Sequence, residues 1–76
     1  MQGAQEIMSY HQRLKDLRIE HGLSQEDVAK VLNTSQQYYG KYELGKRPLP
    51  IEHLIALCNF YHVSADWVLG LNGKTD

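Results

Sequence analysis

LSQEDVAKVLNTSQQYYGKYELG, residues 23–45, reads as two short helices joined by a tight turn. Ser24 opens the first of them as an N-cap, its hydroxyl placed to accept an orphan backbone N–H. Leu23 and Val28 occupy the two positions of a hydrophobic staple, while Asp27 stands where a capping box calls for Glu or Gln, an imperfect match. Val28, Ala29 and Leu32 form the inner face. Asn33, which tolerates the left-handed conformation, ends the helix. The second helix starts after Ser35, runs to about Leu44 and stops at Gly45. At 100° per residue, Tyr39 and Tyr42 point inward. Gln36, Gln37, Gly40, Lys41 and Leu44 share a stripe roughly opposite them, with Tyr38 and Glu43 on the flanks.

Working outward, Ile7, Tyr10, Leu14 and Leu17 follow helical spacing, predicting a helix from about Ser9 to His21 that Gly22 ends. Lys46 to Leu49 form a loop, and Pro50 suits the first position of a fourth helix. Ile51, Leu54, Ile55, Cys58 and either Tyr61 or His62 make that helix the most apolar, the expected centre of the core. Ser64 caps a fifth helix, Ala65 to Leu69, with Val63 and Val68 as a second staple, Trp67 as a core aromatic and Gly70 as its end. The expected organisation is a flexible segment at 1–8, one domain at 9–70 and a polar tail at 71–76.

A chain of 76 residues holds one domain at most. Its 42% hydrophobic and 22% charged residues are an ordinary globular balance, which excludes a disordered chain. The lone Cys58 cannot form an internal disulfide. No apolar run is long enough to span a bilayer, and no signal peptide is visible, so the expected location is the cytoplasm. The net charge of −1 counts mildly against a nucleic-acid ligand. However, between Gln36 and Arg47 stand Lys41, Lys46 and Arg47 against Glu43 alone, and local charge is what meets a phosphate backbone.

Leu23-Ser24-Gln25-Glu26-Asp27-Val28-Ala29, then Ser35-Gln36-Gln37, then Lys41-Tyr42-Glu43-Leu44-Gly45-Lys46-Arg47 resemble the Cro/repressor-type helix-turn-helix, also called the xenobiotic-response-element type. Val63-Ser64-Ala65-Asp66-Trp67-Val68-Leu69-Gly70 is similar to that family's usual ending, so the resemblance covers about residues 10 to 70. It implies an all-α, compact five-helix, lambda-repressor-like DNA-binding domain. It further implies a bacterial or phage transcriptional regulator, a repressor, acting on double-stranded DNA as a homodimer. On that resemblance Gln36, Gln37, Gly40 and Lys41 read bases. A Gln amide can bond adenine N6 and N7, and a Lys can reach guanine O6 and N7. Gln25, Ser35, Tyr38, Lys46 and Arg47 contact phosphates, with Gln25 also holding Gln36. Arg18 and Glu43 form an ion pair that orients the reading helix.

Each reading has a plainer rival. The stripe is also what any solvated helix face looks like, and Lys46 and Arg47 are also ordinary surface charges. Gly40 departs from the family pattern. A glycine inside a helix costs roughly 0.5–1 kcal/mol relative to alanine, and either drift or close approach of the backbone to DNA accounts for it. Leu69 and Leu71 are the candidates for a dimer surface. A second function class is a protein-interaction module of the same fold, an antitoxin or a partner of an anti-repressor, with a protein antagonist. Retention of Gln25, Lys46 and Arg47 favours DNA over it. Cys58 and His62 stand four apart beside His53, but structural zinc needs four ligands, so no metal is expected. With no Gly-rich phosphate loop, nucleophile elbow or HExxH, neither an enzyme nor a cofactor is expected. His11 and His21 read as surface residues.

Overall fold

The computed structural model describes residues 9–71. The expected flexible segment at 1–8, Ile7 included, and the tail beyond Leu71 lie outside the described residues. Five helices follow one another: α1 Tyr10–Glu20, α2 Gln25–Val31, α3 Gln36–Leu44, α4 Ile51–Tyr61 and α5 Ala65–Leu69. The fold is all-α. No helix among the described residues is long and apolar enough to cross a membrane.

Serines start most of these helices. Ser9, Ser24, Ser35 and Ser64 each accept the backbone N–H of the residue three positions on, which removes one unpaired donor from each helix start. At α2 the cap is fuller than the sequence suggests. Asp27 accepts from the Ser24 backbone N–H at 2.9 Å while Ser24 Oγ accepts from Asp27 N at 3.0 Å, a complete capping box. The shorter Asp therefore does what a Glu was expected to do. Helix α4 begins one residue later than read. Pro50 is its N-cap in extended backbone, not its first helical residue, and makes no side-chain cap bond. Asn33 (φ 59°) and Gly45 (φ 77°) take the left-handed conformation that reverses the chain on either side of α3.

Leu14, Leu17, Val28, Ala29, Leu32, Tyr39, Tyr42, Leu54, Leu57, Tyr61 and Val68 form one buried cluster. The buried face of α4 is Leu54, Leu57 and Tyr61, which settles the choice between Tyr61 and His62. His62 is the left-handed C-cap of α4 (φ 60°). Ile51 and Ile55, expected inside, are exposed. With apolar residues almost all round α4, helical spacing alone puts the buried stripe about a quarter turn away from where packing puts it. Trp67 is likewise no core residue. It is 37% exposed, with the Arg13 guanidinium carbon 4.8 Å from its ring centre. An indole is large enough to cover a core from its rim, and its face attracts a cation.

Candidate nucleic-acid interface

Helices α2 and α3 pack mainly on each other, and the turn between them, Leu32 to Ser35, is short. Thr34 N–H donates to Ala29 O at 3.0 Å, folding the turn back on α2. Tyr39 and Tyr42 are buried to 0% and 1% exposure, while Gln36, Gln37, Lys41 and Leu44 on the same helix are exposed. This amphipathicity follows from the residue order: two aromatics three apart anchor one face and leave the other to amides and a cation.

Behind the exposed face lies a polar network centred on Glu43, whose side chain is 2% exposed. Its carboxylate accepts from Arg18 Nε at 2.7 Å, Arg18 Nη2 at 3.0 Å, Gln25 Nε2 at 3.1 Å and the Tyr39 hydroxyl. A carboxylate offers about four lone-pair sites, so its acceptor capacity is taken up. Arg18 Nη1 donates to Leu23 O at 3.0 Å, tying α1 to the segment that leads into α2. Burial alone would push the Glu43 carboxyl pKa up. The hydrogen bonds from Arg18, Tyr39 and Gln25, with the Arg18 charge, outweigh that and hold it below the ordinary value. The Tyr39 hydroxyl is raised far above the usual phenol range, first by burial and then by its bond to a negative group.

The network reaches the exposed face through one amide. Gln25 donates to Glu43 through Nε2, and its Oε1 accepts from Gln36 Nε2 at 2.7 Å. Gln36 is thereby held in one orientation. Its Oε1 and its second Nε2 hydrogen remain available, which is the acceptor and donor pair that an adenine edge requires. Tyr39 and Glu43 stand four apart on one helix, a spacing at which side chains meet. Their bond was therefore legible in the sequence and was missed. Likewise unforeseen, His11 Nδ1 bonds Tyr42 O, so His11 braces the end of α3 and is only partly exposed. Its ring also lies against Gly45, 3.5 Å from where a Cβ would stand.

Gly40 does not stand on the exposed stripe. It is buried, and a Cβ there would lie 3.3 Å from Gln25 Oε1. The close approach that its lack of a side chain permits within the domain is made by Gln25. We expect Gly40→Val to lower stability by about 1 kcal/mol or more, as overpacking does, and to be non-additive with Gln25→Ala in urea melts, because removing the obstructing amide relieves the crowding. Strict additivity would mean that Gly40 and Gln25 do not press on each other.

Around this centre, Ser35 and Tyr38 flank the start of α3 and are exposed, as are Lys46 and Arg47 beyond Gly45. The Arg47 guanidinium carbon lies 4.8 Å from the Tyr38 ring centre. Leu49 N–H donates to the Tyr10 hydroxyl at 3.0 Å and fixes the far end of that loop. Among the described residues no three His, Cys, Asp or Glu side chains gather, around Cys58 and His62 or elsewhere. His53 is engaged elsewhere, its Nδ1 bonded to the Tyr42 hydroxyl at 3.1 Å.

A helix pair joined by a short left-handed turn, the second helix showing polar side chains outward and aromatics inward, defines the helix-turn-helix class of DNA-binding domain. The family model described as helix-turn-helix matches residues 14–68, and the chain belongs to that family, the Cro/repressor type of transcriptional regulators. It is 37% identical over 67 residues to the uncharacterized HTH-type transcriptional regulator YobD of Bacillus subtilis (strain 168), covering 88% of this chain and 60% of the relative. It is 36% identical over 63 residues to the HTH-type transcriptional regulator ImmR of the same organism, covering 83% of this chain and 50% of the relative. Among solved structures it is similar to a transcriptional regulator from Listeria innocua, with a TM-score of 0.78, 32% identity, and coverage of 82% of this chain and 58% of that one. The chain thus spans between half and about 60% of the length of these curated relatives.

Proposed function

We propose that this domain binds double-stranded DNA sequence-specifically by laying α3 in the major groove, and that it regulates transcription as a repressor by occupying its site. The observation that carries this reading is the exposure of Gln36, Gln37 and Lys41 on the helix whose other face buries Tyr39 and Tyr42. In the proposed complex Gln36, Gln37 and Lys41 meet base edges, and Gly40 serves by making room for Gln25. Ser35 Oγ already accepts from Tyr38 N, which leaves its hydroxyl hydrogen for a phosphate. Gln25 has a second Nε2 hydrogen for the same purpose. Tyr38, Lys46 and Arg47 complete the backbone grip, which sets affinity and register while the stripe sets sequence preference. One α3 reads only a few base pairs. A homodimer on half-sites about 34 Å apart is therefore the proposed binding unit, with the exposed Leu69 and Leu71 as candidates for its contact.

Selection of bound sequences from a random duplex pool tests this reading. It is expected to enrich a pseudo-palindrome with half-sites one helical turn apart; absence of any enriched sequence would overturn it. On the selected site, Lys41→Ala is expected to flatten preference at one position per half-site, at a cost of about 1 kcal/mol. An unchanged base preference would remove Lys41 from the reading set.

A further inference from the structure

The Arg47 guanidinium carbon lies over the Tyr38 ring, 4.8 Å from its centre. Both side chains come from segments whose backbone is already fixed. Tyr38 sits in the first turn of α3, its own N–H held by Ser35 Oγ at 3.0 Å. Its ring meets that of buried Tyr42 edge-on, with centres 5.8 Å apart and planes at 80°. Arg47 follows the left-handed Gly45, and Lys46 N–H donates to Lys41 O at 2.9 Å, so the loop starts from a rigid corner.

We propose that Tyr38, besides the phosphate contact of its hydroxyl, is a positioning residue for the phosphate clamp, its ring holding the Arg47 guanidinium ready for a phosphate. The inference rests on the DNA-binding reading given above. Stacking and phosphate capture do not compete. The stack uses the π face of the guanidinium, while its N–H donors lie in the plane and point outward from the edge. A long side chain already lying on an aromatic plane has fewer rotamers to give up when the anion arrives. Among the described residues, Arg47 is the cation of this loop that an aromatic ring holds. Lysine at this position would forfeit both the stack and the fork.

Two measurements test it. In the DNA-free chain, the Arg47 Nε and Cδ protons are expected upfield of their ordinary positions, because they adjoin the guanidinium carbon that lies over the Tyr38 ring. Tyr38→Phe keeps that shift and Tyr38→Leu abolishes it. Ordinary shifts in the unsubstituted chain overturn the stacking, whether or not the chain binds DNA. Second, in a cycle read on random-sequence duplex, Arg47→Ala is expected to cost about three- to fivefold less affinity in the Tyr38→Leu background than in the unsubstituted chain, the worth of a cation–π contact at an exposed site. In the Tyr38→Phe background the cost of Arg47→Ala is expected to be the full one. Equal costs in all three backgrounds overturn the positioning role. Absence of duplex binding in the unsubstituted chain sinks the DNA reading instead, with the proton shifts still reporting on the stack.

Discussion

Glu43→Ala is expected to destabilise the domain by about 3–5 kcal/mol, the cost of removing one partner from a buried ion pair. The loss is large because the carboxylate is the common acceptor for Arg18, Gln25 and Tyr39. Without it, a guanidinium with a side chain only 14% exposed keeps Leu23 O alone as acceptor, and the buried Tyr39 hydroxyl loses its own. For a domain of this size the shift in melting temperature is at least about 12 °C. A change under about 4 °C would mean that water or neighbouring groups replace the carboxylate at little cost. The same group sets the acid limb of stability. Glu43 and Asp27 both have pKa values lowered on folding, from ordinary values of 4.5 and 3.8. For Asp27 the chief cause is the Ser24 backbone N–H. A lowered pKa contributes stability that is present above the ordinary value and lost as pH falls through the folded one. Melting temperature should therefore fall below about pH 4.5, and Glu43→Gln should reduce that dependence. At the other end burial raises the Tyr61 hydroxyl to about 12, with Tyr39 and Tyr42 also raised. Stability from these groups is complete below their ordinary value of 10 and drains away as pH rises beyond it.

The second large effect concerns affinity. Lys46→Ala with Arg47→Ala is expected to weaken binding to any duplex roughly a hundredfold near 0.1 M salt, about tenfold for each phosphate left without its cation. The slope of log affinity against log salt should fall by about 1.8. Both side chains are exposed, so the melting temperature should hardly move. Fluorescence anisotropy on random-sequence duplex at several salt concentrations measures both quantities. An unaltered slope would take these two cations off the DNA.

Much of the fold was legible in the sequence because its punctuation is local. A serine at a helix start, Asn33 and Gly45 at the reversals, and Tyr39 with Tyr42 three apart each act through the nearest turn of backbone. What escaped was decided at a distance. The buried face of α4 depends on which side α2 and α5 approach, and its near-uniform apolarity conceals that. Trp67 lies at the rim with its ring against Arg13, a contact far apart in sequence that no local pattern announces. Gly40 lies on the expected stripe by helical angle and is nevertheless covered, because one amide from α2 reaches over it. Of the candidate site, the residue types and the pairing of Arg18 with Glu43 were legible. The hold of Gln25 on Gln36 was implied by the resemblance, but its second bond, to Glu43, was not legible, since nothing in the chain order says that one amide spans both partners.

Gln36 is moored to the interior through Gln25, whereas no hydrogen bond to another described residue holds the side chains of Gln37 and Lys41. That asymmetry divides the surface of α3 into a part that shares its fate with the fold and a part that is free to vary. A combinatorial library randomised at 37 and 41 should stay soluble and helical in nearly every member while its target preferences scatter. The same library built at 25, 36 and 43 should lose most members to misfolding before any new preference appears. Redesign of this domain for another target, and its natural divergence too, would accordingly run through the two unmoored positions.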